Sequence, residues 1–527
     1  MTNVYVRRLC QWEADDHAMN LIVRESGDRK TISVPEGSTV REALLSCGIN
    51  PGGTCNGRGE CCHCDVFIKD GRGLFYTLAC QTPVTDGMEV ASVRTRDIGE
   101  TTRGLAPIWR SDGQGWGYGL AIDVGTTTIV CRLYNQESGK LINTVRRANP
   151  QLVFGAAVAR RIEACVEDKL KTMAKLLEEV LAEMTGTLAS EAGISPSDIN
   201  DISICGNTAM ELIAANVDPT ALSVAPYMPP TLFGEEIDYL TLVDSDITAG
   251  TAYFAPCISG TIGGDITCGL LAIDMARSNE LTLFLDLGTN GEMVLGDKHG
   301  ILACATTAGS VFEGASIKYG APAYQGSIYK VRYVDGQLVT SVIGGEEPLG
   351  ICGSGFMDAL AIMLDCNILT PDGTILTAPE AACVSSCGLE KYLCVEDGEP
   401  CFRLSEGISI TQHDIRVFLH AKAGLSAGVR LMLEKRGVAQ DDIRKIVFAG
   451  SFADRVTLTN ASRLGILPPG LQNRTVSVGD AAVEGASALL LSDTANDQIE
   501  KIIDICEYIE LRDNPEFEAL ASECMRF

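Results

Sequence analysis

Four cysteines near the N-terminus have the number and spacing of an iron–sulfur ligand set. Cys55, Cys61 and Cys64 follow a C-x5-C-x2-C pattern, and Cys80 comes later in the same stretch. Four thiolates complete a [2Fe–2S] site, and ferredoxins supply three of them from one loop and the fourth from further along the chain. The loop is rich in glycine, which lets a backbone turn tightly around the sulfide ions. The sequence therefore predicts a [2Fe–2S] cluster on these four cysteines.

A zinc ribbon is the main alternative, since C-x2-C pairs also bind zinc. Zinc sites usually combine two separated pairs, whereas here three cysteines crowd one loop. Cys62 lies in the same loop but outside the spacing, and it is interpreted as a non-ligand. A second group has x3, x6, x6 spacing, which matches no ferredoxin pattern, and is interpreted as part of a β-insert: Cys383, Cys387, Cys394 and Cys401.

Two similar acidic turns indicate a duplicated phosphate-binding domain. The stretches GLAIDVGTTT and LTLFLDLGTN each end an apolar run in Asp-x-Gly-Thr, with Asp123 and Asp286 as the equivalent acids. One such turn could be a plain β-turn, but two in matched contexts indicate homologous halves that clamp one nucleotide. Turn N–H and O–H groups bind phosphate, and carboxylates hold Mg²⁺. We expect catalytic and Mg²⁺-binding roles for the two acids, and phosphate contacts from Gly125, Thr126, Thr127, Gly288, Thr289 and Asn290.

Three further turns of small residues are candidate nucleotide contacts. ICGNTAM places two polar residues after a strand, where they could face the γ-phosphate or merely cap a turn. GICGSGFMDAL is either a phosphate or ribose contact at a helix N-terminus or an ordinary glycine-rich helix start. IVFAGSF either passes against adenosine or simply ends a strand. The candidate residues are Asn207, Thr208, Gly353, Ser354, Gly355, Gly450 and Ser451.

Composition restricts the class of protein. The chain has 527 residues, 46% of them hydrophobic, and a net charge of −27. Such acidity argues against nucleic acid or an anionic membrane as a partner, because both favour basic patches. The 21 cysteines indicate a reducing, anaerobic interior rather than a disulfide framework. With no long apolar run and no signal sequence, we expect a cytoplasmic protein.

The order of predicted elements gives the domain organisation. Residues 1–94 contain two strands, a helix with Ser38 as N-cap, the cysteine loop and further strands, which is the β-grasp order of plant- and adrenodoxin-type ferredoxins. Residues 95–117 carry no sustained pattern and are expected to be a flexible linker. Residues 118–527 hold both acidic turns. The predicted fold class is α/β, with an α+β N-terminal part.

Together these features resemble the ATP-dependent reductive activators of corrinoid proteins. The resemblance is carried by the cluster cysteines and the two acidic turns, with support from Cys205-Gly-Asn-Thr, Ala225-Pro-Tyr, Gly350-Ile-Cys-Gly-Ser-Gly and the segment that begins at Thr306. In this family a β-grasp ferredoxin precedes a duplicated, RNase H-like ATPase of the superfamily that includes acetate and sugar kinases, heat-shock chaperones and actin (ASKHA). The implied cofactors are a [2Fe–2S] cluster, ATP and Mg²⁺.

The resemblance also implies a function. A low-potential electron would pass from the cluster to Co(II) of a corrinoid protein of a methyltransferase or O-demethylase system, regenerating Co(I) for methyl transfer. Plant-type clusters lie near about −400 mV, so ATP hydrolysis would drive an uphill transfer. An unidentified electron donor and a homodimer are further expectations. The alternatives are a ferredoxin-fused small-molecule kinase and an ATP-regulated iron–sulfur sensor or scaffold.

Overall fold

The computed structural model describes most of the chain, and the gaps affect several predicted residues. Cys61, Thr289, Ser451 and much of the predicted linker lie outside the described residues. The described residues are 18–25, 28–51, 55, 57–59, 62, 64–71, 73–93, 109, 111–112, 115–238, 251–288, 290–306, 311–312, 314, 316–323, 325–345, 347–450 and 453–527.

The N-terminal domain is a five-stranded sheet with one helix packed on it. The strand order is β2-β1-β5-β3-β4, so β4 lies at an edge. The helix begins with a capping box in which the Thr39 amide donates to Glu42 at 2.8 Å, one residue later than the predicted Ser38 cap. Its elements are β1 Ala18–Glu25, β2 Asp28–Pro35, α1 Val40–Ser46, β3 Asp65–Asp70, β4 Gly73–Leu78 and β5 Met88–Val93.

The first half of the remaining chain forms a six-stranded sheet of order β10-β11-β9-β6-β7-β8. Strands β6, β7 and β8 run antiparallel, and β9 returns parallel to β6. Helix α3 packs its Met173–Leu188 stripe into the core beneath this sheet. The elements are β6 Tyr118–Val124, β7 Thr128–Asn135, β8 Lys140–Ala148, α2 Val158–Val166, α3 Leu170–Ala192, β9 Ile199–Gly206, α4 Thr208–Ala214, β10 Glu235–Asp238 and β11 Thr251–Phe254.

Five strands of the second half repeat the order of the first half, whereas the sixth strand differs: β10 pairs with β11 in the first sheet and β23 pairs with β14 in the second. The second sheet has the order β22-β21-β12-β13-β14-β23, with β12, β13 and β14 antiparallel and β21 parallel to β12. The predicted duplication is therefore confirmed at the level of strand order. The elements of this half as far as the last long helix are α5 Gly264–Ala272, β12 Thr282–Leu287, β13 Gly291–Asp297, β14 Gly300–Thr306, β15 Ser327–Val334, β16 Gln337–Val342, β17 Gly350–Ile351, α6 Gly353–Asp365, α7 Ala378–Val384, β18 Leu393–Glu396, β19 Glu399–Ser405, β20 Ile408–Thr411 and α8 Gln412–Arg436.

Two helices of small residues join the halves. Helix α10 crosses α5 so closely that a Cβ on Gly485 would lie 2.0 Å from the carbonyl oxygen of Cys268. The buried cluster around this crossing draws residues from both sheets. The described C-terminal elements are β21 Lys445–Ala449, α9 Leu458–Arg463, β22 Thr475–Ser477, α10 Ala481–Leu491, α11 Asp493–Ile505, β23 Cys506–Tyr508 and α12 Pro515–Glu523.

The end of the predicted linker is fastened to the second part of the chain. The Trp109 indole donates to the Leu271 carbonyl at 2.9 Å, and the Asp112 carboxylate accepts the Asp493 amide at 2.8 Å. Where the structure describes helices, none is both long and apolar enough to cross a bilayer.

Candidate functional site

The two repeated acids face one cavity between the half-domains. Asp123 lies near the end of β6, and Asp286 occupies the corresponding place on β12. Both line a cavity of about 550 Å³. Each acid also has an equivalent partner on the neighbouring parallel strand: Asp123 pairs in register with Cys205 on β9, and Asp286 with Ala449 on β21. Equivalent strands thus bring equivalent carboxylates together from opposite sides.

Most of the described candidate residues line this same cavity. They are Asp123, Gly125, Thr126, Thr127, Asn207, Asp286, Gly288, Asn290, Gly353, Ser354 and Gly450. Thr208 and Gly355 are not among the lining residues. The Thr208 hydroxyl donates to the Ser259 carbonyl at 2.7 Å, and the Gly355 backbone packs on Ile328.

Asn207 connects the first acidic turn to helix α4. Its side-chain amide donates to Thr126 Oγ1 at 2.8 Å, while its side-chain oxygen accepts the Met210 amide at 3.1 Å and caps the helix. Asn207 therefore caps a helix, as one interpretation of the sequence predicts, and it also lies at the cavity, as the other predicts. The hydrogen bond fixes the Thr126 hydroxyl at the cavity wall.

Gly450 lies beside the second acid. It has φ +96, and a Cβ there would be 2.8 Å from Asp286 Oδ1 and 3.1 Å from the Leu287 carbonyl oxygen. Only glycine adopts this backbone conformation at no steric cost and leaves room for the carboxylate. The chain at the end of β21 thus requires glycine for the geometry of Asp286, a requirement that sequence reasoning did not foresee.

Three further acids join the pair. Asp265 in the first turn of α5, Glu292 on β13 and Asp480 before α10 all line the cavity. Burial raises the pKa of Asp123 well above its usual range, and repulsion from Asp265, Asp480 and Asp286 adds to the shift. Burial likewise raises the pKa of Asp265 to about 6. Such clustered, desolvated carboxylates are a favourable environment for a divalent cation.

The sequence pattern alone did not predict that these three acids line the cavity. An aspartate at the start of an apolar helix usually caps the helix, but here the cap position is Gly263 and Asp265 lies in the first turn. Glu292 is the register partner of Asp286 across β12 and β13, and burial raises its pKa as well. Asp480 forms an ion pair with Arg146 at 2.6 Å, and Arg146 also lines the cavity.

Cys64 and Cys80, two of the predicted cluster ligands, lie at one end of the N-terminal sheet. Cys64 directly precedes β3 and Cys80 follows β4, and the two are held together because the Ala79 amide donates to the Cys64 carbonyl at 2.8 Å. Cys55 is buried, as are Cys64 and Cys80. The Gln81 side chain donates to Cys80 Sγ at 3.5 Å, a contact that suits a sulfur ligand. These described cysteines fit a [2Fe–2S] cluster.

The remaining loop cysteine differs from these. Cys62 is buried in the left-handed region at φ +52, and its sulfur lies 3.8 Å from the Gly59 carbonyl oxygen. Further along, Cys394 and Cys401 are directly opposite each other on β18 and β19, with sulfurs 2.7 Å apart. Two cysteines of the second group therefore lie on a β-hairpin, in agreement with the predicted β-insert.

Comparison with known proteins identifies all three parts of the chain. Residues 23–95 match the 2Fe–2S iron–sulfur cluster binding domain, residues 118–278 the RACo middle region, and residues 280–527 the C-terminal domain of RACo, the ASKHA domain. The RACo middle region therefore covers the first half of the duplicated part and continues through helix α5.

Whole-chain relatives agree with these matches. The corrinoid activation enzyme RamQ of Eubacterium limosum is 28% identical, over 92% of this chain and 95% of that protein. The Co(II) methylated amine-specific corrinoid protein reductase of Methanosarcina barkeri is 24% identical, over 73% and 72%. A solved structure of a reductive activator for corrinoid, iron–sulfur protein covers 97% of this chain and 98% of its own, with a TM-score of 0.68 and 26% identity. The chain belongs to the RACo family of reductive activators, with an iron–sulfur domain followed by the middle region and the ASKHA domain.

Proposed function

We propose that this protein reduces Co(II) to Co(I) in a corrinoid protein of a methyltransferase or O-demethylase system and couples this electron transfer to ATP hydrolysis. The observation that carries the proposal is the convergence of Asp123 and Asp286 on one cavity. The same chain holds a cysteine set for a low-potential cluster. RamQ and the other relatives, named as activators or reductases of corrinoid proteins, support the choice of substrate.

The iron–sulfur domain would supply the electron. Cys55, Cys61, Cys64 and Cys80 would hold a [2Fe–2S] cluster, which accepts and donates one electron at a time. One electron converts Co(II) to Co(I) and leaves the cluster oxidised, so an external donor must reduce it again. The Gln81 amide, which donates to Cys80 Sγ, would favour the more negative, reduced state.

The cavity would bind MgATP. Asp123 and Asp286 would hold Mg²⁺ and the attacking water, and Asp265 and Glu292 would complete the acidic environment. Burial, and after it mutual repulsion, raises the pKa of Asp123 and Glu292, and a bound cation would favour their ionised forms. The lining basic side chains, Arg146 among them, would balance phosphate charge.

The turn residues would contact the nucleotide itself. Gly125, Thr126, Thr127, Asn207, Gly288 and Asn290 line the cavity beside the acids and would bind phosphates, together with Thr289 of the second turn. Gly353, Ser354, Gly450 and Ser451 would lie towards the ribose and adenine. Catalysis would require both halves to close on the phosphates, which is how a γ-phosphate biases a two-state element. A homodimer is the proposed assembly.

One assay tests the whole proposal. Chemically reduced, cluster-loaded protein is mixed with MgATP and a Co(II) corrinoid protein, and the Co(I) absorbance is followed. We expect Co(I) to form with ATP, and to fail to form without ATP or in an Asp286→Asn variant. Asp441→Asn, which changes an exposed acid outside the cavity, is the matched control and should retain full activity.

Two results would contradict the proposal. Equal Co(I) formation without ATP would remove the energetic role of the cavity. Transfer of phosphate to an added metabolite, with no response to the corrinoid protein, would favour a kinase of the same fold instead.

A further inference from the structure

Residues 118–527 are called the ATPase part below. The tip of the β3–β4 hairpin of the iron–sulfur domain docks on the second half of this part. A Cβ on Gly73, which has φ +121, would lie 2.2 Å from the Lys318 carbonyl oxygen. The neighbouring Lys69 ammonium lies 3.5 Å from the Gly407 carbonyl oxygen and 5.8 Å from the ring centre of Tyr319. The hairpin backbone is thus in close contact with this half.

Side chains extend the same contact. Phe67 of β3 packs with Ala321 in a small buried cluster that also includes Leu74 and Tyr76 of β4. On strand β1, the Arg24 guanidinium donates to a backbone carbonyl of the ATPase part at 3.1 Å. The contact therefore involves apolar packing as well as the glycine tip.

The other side of the hairpin reaches the nucleotide cavity and the first half. Phe67, Leu74, Phe75 and Tyr76 line the cavity that holds Asp123. Strand β4 also contacts the 3₁₀ helix Pro150–Phe154 of the first half. One hairpin therefore touches both walls of the cavity.

This 3₁₀ helix is fastened to the first acidic turn. The Asn149 backbone donates to the Thr127 carbonyl at 2.8 Å, its side-chain amide donates to the Gly125 carbonyl at 2.9 Å, and its side-chain oxygen caps the helix. The fully buried Arg161 donates to the Thr126 carbonyl of the turn and, at 3.1 Å, to the Gln151 side-chain oxygen of the helix. A shift of the first acidic turn must therefore move the 3₁₀ helix that β4 contacts.

We propose that the β3–β4 hairpin bridges the two half-domains across the nucleotide cavity, so that nucleotide binding and docking of the iron–sulfur domain stabilise each other. The inference rests on the proposed nucleotide site. Contacts to both halves are compatible with only one relative arrangement of those halves. By thermodynamic linkage, a nucleotide that favours this arrangement favours docking to the same degree. Cys64 and Cys80 flank the hairpin at its far end, so release after hydrolysis would reposition the cluster.

A pair of glycine variants tests this coupling. Gly73→Ala introduces a Cβ that collides with the ATPase part. Gly87→Ala introduces one at another positive φ, +76, in the same domain, where nothing lies within 4 Å. Binding of the magnesium complex of a non-hydrolysable ATP analogue is measured by calorimetry on the full cluster-loaded chain. We expect Gly73→Ala to weaken binding at least about fivefold, the lower end of usual coupling between sites, and Gly87→Ala to bind as wild type.

A second measurement guards against misfolding. The visible spectrum of the cluster must be unchanged, and Tyr319→Leu, which alters the facing side only, should weaken analogue binding in the same direction. Hydrogen exchange of the β4 amides should slow with the analogue in wild type and respond less in Gly73→Ala.

The possible failures are distinguishable. Wild-type analogue binding by Gly73→Ala, together with β4 exchange that ignores the analogue, would overturn the coupling and leave the proposed function intact. Absence of analogue binding in the wild type would overturn the nucleotide site itself, and the coupling with it.

Discussion

Replacing Asp265 with asparagine should stabilise the metal-free protein while lowering its rate of ATP hydrolysis. Burial raises the pKa of this carboxyl from 3.8 to about 6. The folded state therefore holds the proton more tightly than the unfolded state does. The stabilisation that comes from this tighter proton binding by Asp265 is fully present below pH 3.8 and is lost as the pH rises through 6. A rise of roughly 2 units, at about 1.4 kcal/mol per unit, corresponds to a cost of about 3 kcal/mol at pH 7.5.

Asparagine keeps the shape and cannot ionise. The Asp265→Asn variant should gain up to about 3 kcal/mol in free energy of unfolding at pH 7.5, measured by urea denaturation with a chelator present. Asp265 also raises the pKa of Asp123 and Glu292, so relief of their repulsion has the same sign. Because a carboxylate is lost from the acidic environment, MgATP hydrolysis should fall and Mg²⁺ should no longer stabilise the fold as it does in wild type.

The pH dependence separates this explanation from a general effect of substitution. The stability gain should shrink towards pH 4, where the native carboxyl is itself largely protonated. Asp441→Asn, at an exposed position, should show no gain at either pH. A variant equal to or less stable than wild type at pH 7.5, or a gain that grows towards pH 4, would refute the reasoning.

Three further substitutions, two of them paired with a control variant, probe the cluster, the cavity and the joint between the halves. Cys80→Ser should abolish the visible absorbance and bound iron, whereas Cys62→Ser should retain both. Gly450→Ala should lower the ATP hydrolysis rate about tenfold or more, a loss of at least ~1.4 kcal/mol in transition-state stabilisation, because the new methyl group displaces the adjacent carboxylate. Gly485→Val should destabilise the chain by about 1–3 kcal/mol in thermal or urea unfolding, since its side chain meets the facing helix; Gly186→Val, at a helix position with nothing within 4 Å, should not.

The sequence contained enough to predict the duplicated fold and the central acid pair. Each Asp-x-Gly-Thr turn follows an apolar run, and the same pattern produces the same strand pairing in both halves. Asp123 and Asp286 therefore had to occupy equivalent positions. The cysteine spacing predicted an iron–sulfur domain, and residues 23–95 match a 2Fe–2S cluster binding domain.

The rest of the acidic environment depends on tertiary packing. Asp265, Glu292 and Asp480 come from a helix start, a strand and a loop, and the fold brings them to one cavity. Two of them lie at the starts of α5 and α10, which cross at a glycine. The local pattern around Asp265 indicates only the start of a helix. Nothing in a single turn could reveal that Gly450 must be glycine to make room for Asp286.

The iron–sulfur domain shows most clearly how tertiary contacts change an interpretation. By sequence alone it is a ferredoxin attached to an ATPase by a linker. Yet β4 is an edge strand carrying Leu74, Phe75 and Tyr76 in succession, and exposed apolar edge strands invite aggregation unless they are covered. Here residues 118–527 provide cover: β4 contacts the 3₁₀ helix Pro150–Phe154 at one wall of the cavity, and Gly73 at its start approaches the Lys318 carbonyl oxygen at the other. The composition of β4 is therefore that of an interface, and the hairpin is suited to transmit the state of the nucleotide to the cluster.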